Sequence, residues 1–429
     1  MLFQERQITF DNRSHQLTNI NVWTPDSQWL VYDVRPNGAS FTGLTIEKIH
    51  VKSGKIDIIY QAKEGAHVGV VTVSPTEPVQ YAFIHGPECP DEQWHYDFHH
   101  RRGVIVSEEL PGKAVTLDAM DITAPYTPGA LRGGSHVHVF SPDSSRLSFT
   151  YNDHVMHELD PALDLRNIAV SVPLKSVEPP KHHPREYDGS YFSVVVSSTT
   201  PQPEPGSDEI NRAYEECWIG RAGYRRADGN PQRWALAFIG DTLSATGEKV
   251  PEVYIVDLPE RDVDYAIAGE KPLEGTETTL PAPPAGVMQR RLTFTSHKRW
   301  PGVVNNPRHW LRVSPDGEQI AFLMKDDNGI VQLWTISPNG GEPRQITQNH
   351  CGIQSAFSWD RSGQYVAFIC DNSVVLCDVR NSQMRRLTKH TEKKPSADAV
   401  VISPDSHHIA FMREIDSYMQ IFLVETGIK

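Results

Sequence analysis

Short runs in which apolar and polar residues alternate dominate this chain, and such a period of two marks half-buried β-strands. The clearest unit pairs two of these runs around a turn. Leu311-Arg312-Val313 leads into Ser314-Pro315-Asp316-Gly317, and Gln319-Ile320-Ala321-Phe322-Leu323 follows. Proline presets φ for the turn and aspartate caps its own backbone, so Ser-Pro-Asp-Gly predicts a tight connection between neighbouring antiparallel strands.

The unit recurs. Ser/Thr-Pro-Asp or a close variant stands at Thr24-Pro25-Asp26, Ser74-Pro75, Ser141-Pro142-Asp143, Ser358-Trp359-Asp360 and Ser403-Pro404-Asp405. Ser314 to Ser358 is 44 residues and Ser358 to Ser403 is 45, a spacing that suits one four-stranded propeller blade of roughly 40 to 45 residues. The gap between Ser141 and Ser314 leaves room for one degenerate blade, placed at Trp234–Phe238 with Val253–Val256 as its third strand. The expectation is an all-β, seven-bladed β-propeller forming a single domain over 1–429.

A second signature ends each blade: Arg290-Arg291-Leu292-Thr293, Arg344-Gln345-Ile346-Thr347 and Arg385-Arg386-Leu387-Thr388. Its fourth copy, Arg6-Gln7-Ile8-Thr9, opens the chain, while the last blade stops after its third strand, Met419–Val424. The N-terminal strand is therefore expected to close the last blade and remove an open sheet edge. Insertions are expected near 84–135, 155–232 and 258–288, where proline-rich stretches such as Pro201–Gly206 interrupt the repeat.

Charge narrows the partners. With 41 basic against 54 acidic residues the net charge is -13, so the average surface repels phosphate backbones and no nucleic-acid partner is expected. Five cysteines without paired close spacing fit a reducing compartment. The first residues have no apolar stretch like a signal peptide, and no run of about 18 apolar residues suggests a membrane span. A soluble, cytoplasmic protein is expected.

Candidate chemistry follows from the register. The first strand of each propeller blade lines the channel, so residues five before the turn Ser/Thr should face alike. They are Asn19, Gly69, His136, His309, Ile353 and Asp398, with Asn21 and His138 two further in and His67 two further out. Imidazoles with a carboxylate suit a divalent ion such as manganese, zinc or calcium, giving His136, His138, His309 and Asp398 as candidate ligands and Asn19 and His67 as candidate substrate contacts. Polar side chains that hydrogen-bond channel water explain the same pattern.

Tyr151-Asn152-Asp153-His154-Val155-Met156-His157-Glu158 is dense in proton-transfer groups, and Tyr151 and His154 are candidate acid and base residues. A turn with a solvated face is the other reading. In Trp94–Arg102, aromatic faces suit sugar rings and arginines suit carboxylates, making Trp94, His99 and Arg101 candidate contacts for an acidic oligosaccharide. Packing of Trp94, Tyr96 and Phe98 on the propeller accounts for that segment equally. Arg308, beside His309, is a second candidate carboxylate clamp.

Trp94–Arg102, Gly133–Phe140 and Ser207–Glu216 carry a resemblance. The repeats resemble TolB-type propeller repeats, and nearly the full length resembles the enterobacterial YidR family, a TolB-like group without an established activity. More distantly, His-x-His before a Ser-Pro-Asp turn is similar to oligogalacturonate lyases, and the propeller class to some ulvan lyases. The lyase resemblance implies a metal held near the axis by histidines and a glutamine; Gly133 stands where that glutamine would be expected. Two functions follow as expectations. One is β-elimination on a uronic-acid-containing oligosaccharide; the other is a non-catalytic scaffold binding a protein or a sugar.

Overall fold

The computed structural model describes residues 2–428. They form seven four-stranded antiparallel sheets arranged as the blades of a propeller. In chain order the inner strands are His15–Gln16, Val68–Val73, Gly133–Phe140, Ala213–Trp218, Arg312–Val313, Ser358–Trp359 and Val400–Ile402. Apolar side chains fill the gaps between blades: Leu323 of blade five and Phe368 of blade six share one buried cluster, and Ile369 of blade six and Phe411 of blade seven share another. Among the described residues, no helix is long and apolar enough to cross a membrane.

The turn motif is wired as its chemistry requires. Ser314 Oγ donates to Asp316 Oδ1 at 2.5 Å and accepts from the backbone N–H of Gln319 at 3.0 Å. Thr24, Ser141 and Ser403 make the same pair of bonds. Blade six swaps the roles: Asp360 accepts from Tyr365 N, and Ser362 Oγ donates to Asp360. The turn thus starts at Asp360, two residues later than the sequence register placed it. Serine and aspartate are interchangeable as turn acceptors, so the motif is matched two residues out of phase.

The N-terminal strand pairs with the last blade as expected, Arg6 opposite Leu423 and Gln7 opposite Phe422. Its threonine is wired like the other blade ends. Thr9 Oγ1 accepts from Ile421 N at 2.8 Å, as Thr293 does from Val253, Thr347 from Leu333 and Thr388 from Val374.

Two stretches read as insertions hold blade strands. Arg102–Ser107 and Ala114–Thr116 complete blade two within 84–135. Asn167–Val172 and Phe192–Val195 complete blade three within 155–232, and Ala213–Trp218 opens blade four there. Blade four was illegible at its first turn because Ile219-Gly220, with Gly220 at φ 56°, replaces Ser-Pro-Asp. Blades two to four share a further departure, a bulge in the inner strand with Val70, Val137 and Glu215 at φ 59°, 57° and 57°. Left-handed backbone at β-branched residues is strained, and a bulge re-aims the side chains beyond it.

Candidate functional site at the arginine-lined channel mouth

The bulge at Val137 decides where the two histidines of His-x-His go. His136 lies in the half of its strand away from the Ser-Pro-Asp turn, edge-on to Phe41 at 6.0 Å between ring centres. His138 turns between blades two and three, where Nε2 sits 3.1 Å from Ser135 Oγ and 3.6 Å from Asp118 Oδ1, and its ring packs on Phe149.

Residues 98–101 lie directly on this strand because Gly134 has no side chain: a Cβ there would collide with the Phe98 carbonyl. The close approach fixes Arg101, whose Nε donates to Ser135 O at 2.9 Å. Its Nη1 and Nη2 are buried without a hydrogen-bond partner. Phe41, stacked on Tyr96 at 4.9 Å, lies beneath both Arg35 and Arg101. The Tyr96 hydroxyl lies beside Arg101 at the margin of hydrogen bonding and has no well-formed partner.

Arg166 and Arg308 complete the mouth. Arg166 Nε is buried without a partner, and Arg308 Nε donates to Glu215 Oε1 at 2.9 Å while Glu215 Oε2 is unpartnered. Arg35 is held by Asp33. Four guanidiniums thus face two carboxylates around one imidazole. Burial, then Arg101, Arg166, Arg308 and Arg35, holds His136 well below the usual histidine range, so the ring is neutral. Arg35, Phe41, Tyr96, Arg166 and Glu215 escaped the sequence-based site because they lie on four separate segments with no shared motif.

The proposed metal ligands do not meet. His309 is committed through both nitrogens: Nδ1 is 3.1 Å from Pro307 O, and Nε2 accepts from Leu323 N at 3.1 Å. Ser355 makes the equivalent bond to Ile369 N in blade six, so this position caps the second strand. Asp398 is exposed, accepts from Ser396 Oγ and stands near Gly38. Among the described residues, His136, His138, His309 and Asp398 form no group of three ligand atoms within 4.8 Å.

The other expected residues are dispersed. Asn19 accepts from Arg312 Nη2 and lines a separate cavity of about 590 Å³ at the Ser-Pro-Asp mouth, with Trp23, Trp218 and Trp359. His67 is half-buried with Nδ1 unpartnered. Tyr151 is fully buried, donates to Asp153 Oδ2 at 2.8 Å and accepts from Arg132 N. Trp94 stacks on His100 at 3.7 Å, and His154 meets His100 at 3.3 Å between nitrogens. Burial and the neighbouring His100 and His99 push His154 down to about 4. His99 bonds Asp164 Oδ2 through Nε2 at 2.7 Å and stacks on His157 at 4.0 Å. Burial opposes its charge, but Asp164 and Asp97 outweigh that and lift it to about 9.

The family profile described as "Protein of unknown function (DUF3748)" matches residues 67–187. The chain is 62% identical over 415 residues to the uncharacterized protein YidR of Escherichia coli (strain K12), covering 96% of each. An oligogalacturonate lyase in complex with manganese superposes with a TM-score of 0.59 at 12% identity, over 99% of this chain and 93% of that one. The oligogalacturonate lyase of Vibrio parahaemolyticus gives 0.57 at 9% identity, over 100% and 98%. A prolyl oligopeptidase from Galerina marginata gives 0.53 at 11%, over 94% of this chain and 47% of that one, so the likeness is one of fold across different activities. With near full-length identity of this order, the chain belongs to the YidR family.

Proposed function

We propose that the chain is a carbohydrate-active lyase that cleaves a uronic-acid-containing oligosaccharide by β-elimination at the arginine-lined mouth. The observation that carries the reading is Arg101, whose two terminal nitrogens are buried beside His136 without a carboxylate partner. A buried guanidinium without a partner is costly, and a ligand carboxylate is the group that matches its fork. Arg166 and Arg308 supply further positive charge to the same place.

The chemistry then follows. Arginine pairing neutralises the uronate carboxylate and makes the adjacent C–H more acidic. The His136 imidazole takes that proton, the C–H electrons form the carbon–carbon double bond, and the β C–O bond breaks. The departing oxygen takes a proton from the Tyr96 hydroxyl. His136 is a poor base among free guanidiniums, but a bound carboxylate offsets their charge and raises its proton affinity. The manganese in the lyase neighbour finds no matching donor set at this mouth, since His138 and His309 are engaged elsewhere, and no step is assigned to a metal.

Two roles named from the sequence change place here. Arg308 remains a carboxylate clamp, whereas Tyr151 and His154 are held in contacts of their own. The scaffold alternative is favoured by one feature, the tryptophan-lined cavity at the other mouth, which suits binding without chemistry.

The test is ultraviolet absorbance of the unsaturated product with a panel of oligouronates, paired with calorimetric uronate binding. Activity that falls at least about 100-fold in His136→Gln and Arg101→Met is expected. Neither binding nor product with any oligouronate overturns the reading; binding without product supports the scaffold.

A further inference from the structure

We propose a divalent transition-metal site at His99, His157 and Asp164, outside the channel mouth and independent of the proposed reaction. Among the described residues, their ligand atoms form a group lying within 4.8 Å of one another. Two imidazoles and one carboxylate are a donor set for zinc, manganese, iron or cobalt, and leave positions open to water or a ligand.

Local structure builds the trio from three directions. The Asp97 carboxylate accepts from the backbone N–H of His99 at 2.7 Å and shapes the turn that presents its ring. The short helix His154–Leu159 is capped by Asp153, whose Oδ1 accepts from Met156 N, and it carries His157. A second capped turn, Pro161–Leu163, then brings Asp164 back against both rings. The His99 and His157 rings lie nearly parallel, 4.0 Å apart and 25° between planes, so both present edges to the same side.

The carboxylate is also oriented as an inner ligand needs. Asp164 Oδ1 accepts from the backbone N–H of Asp153 at 3.1 Å, and Asn152 Nδ2 approaches both oxygens at 3.2 Å. Such outer hydrogen bonds hold ligating groups in place. His99 Nε2 and Asp164 Oδ2 are 2.7 Å apart. Donors at about 2.1 Å from an ion stand roughly 3.0–3.4 Å apart, so an ion replaces the shared proton after a small opening of that pair. His157, half-buried on a rotatable side chain with no hydrogen bond of its own to break, supplies the third donor.

The ion is expected to join the two helical turns to the segment that runs on into Arg101. Its chemistry separates it from the neighbouring stack of Trp94, His100, His154 and His183, which is held by ring contacts.

The test uses the full chain purified without a histidine tag and stripped with chelator. Titration with cobalt(II) chloride should give d–d absorption saturating at one equivalent, displaced by zinc chloride. His157→Ala and Asp164→Asn should each weaken binding on the order of 100-fold or more, while His95→Ala and His183→Ala retain it. Zinc should raise the melting temperature of the wild type and of neither ligand variant. No saturable binding by the wild type, or wild-type affinity in folded His157→Ala, overturns the proposal. If His157→Ala fails to fold, Asp164→Asn carries the same comparison. Uronate binding at the mouth is measured separately, so either result stands without the other.

Discussion

Thr9 Oγ1 accepts the backbone N–H of Ile421 at 2.8 Å, joining residues 412 positions apart in the chain. The bond reproduces one made by Thr293, Thr347 and Thr388 inside single blades. Thr9→Val keeps the shape and leaves a buried N–H without an acceptor. We expect a loss of roughly 1–3 kcal/mol in denaturant unfolding, matched by Thr388→Val. A Thr9→Val protein as stable as wild type would mean that the ring is closed by packing alone.

His309 sets an acid limit on the fold. Burial, with Arg312 nearby, pushes its imidazole down to about 4, against 6.5 when exposed. Between these values the unfolded chain binds the proton and the folded chain does not, so stability is full above about pH 6.5 and falls as the pH drops towards 4. At pH 5 this one group accounts for about 2 kcal/mol of lost stability. His309→Asn keeps an acceptor for Leu323 N and is expected to be less stable at pH 7 but with a flatter pH dependence. Denaturant midpoints at pH 7 and pH 5 measure the difference in slope.

Gly134 is a packing requirement of the mouth. An added Cβ meets the Phe98 carbonyl and the His99 backbone, neither of which can yield without shifting the segment. Gly134→Ala should cost about 1–3 kcal/mol as overpacking, and should weaken uronate binding because Arg101 moves with that segment. A variant that melts early yet binds uronate like wild type would uncouple Arg101 from this contact.

Much of the scaffold was legible because its signals are local. Ser-Pro-Asp turns, strand alternation and the Arg-x-x-Thr blade ends each lie within a few residues, and each specifies one piece of backbone. The fourth blade's inner strand was hidden, since Ile219-Gly220 gives no turn signal and Glu215 sits in a bulge. The candidate site was legible in part. Arg101, Arg308 and His136 were named from the sequence and are drawn together at the mouth, while His99 stands instead in a trio with His157 and Asp164.

The sequence by itself determined the repeat, the blade spacing and the closing strand, all consequences of short-range hydrogen bonding and a period of two. Only the tertiary structure decided which polar residues meet. A bulge at Val137 breaks the alternation, so His136 and His138 part, and Gly134 admits a distant segment that sets Arg101 beside His136. Convergence of this kind depends on backbone conformation and close approach between segments far apart in the chain, and no fixed sequence offset encodes it.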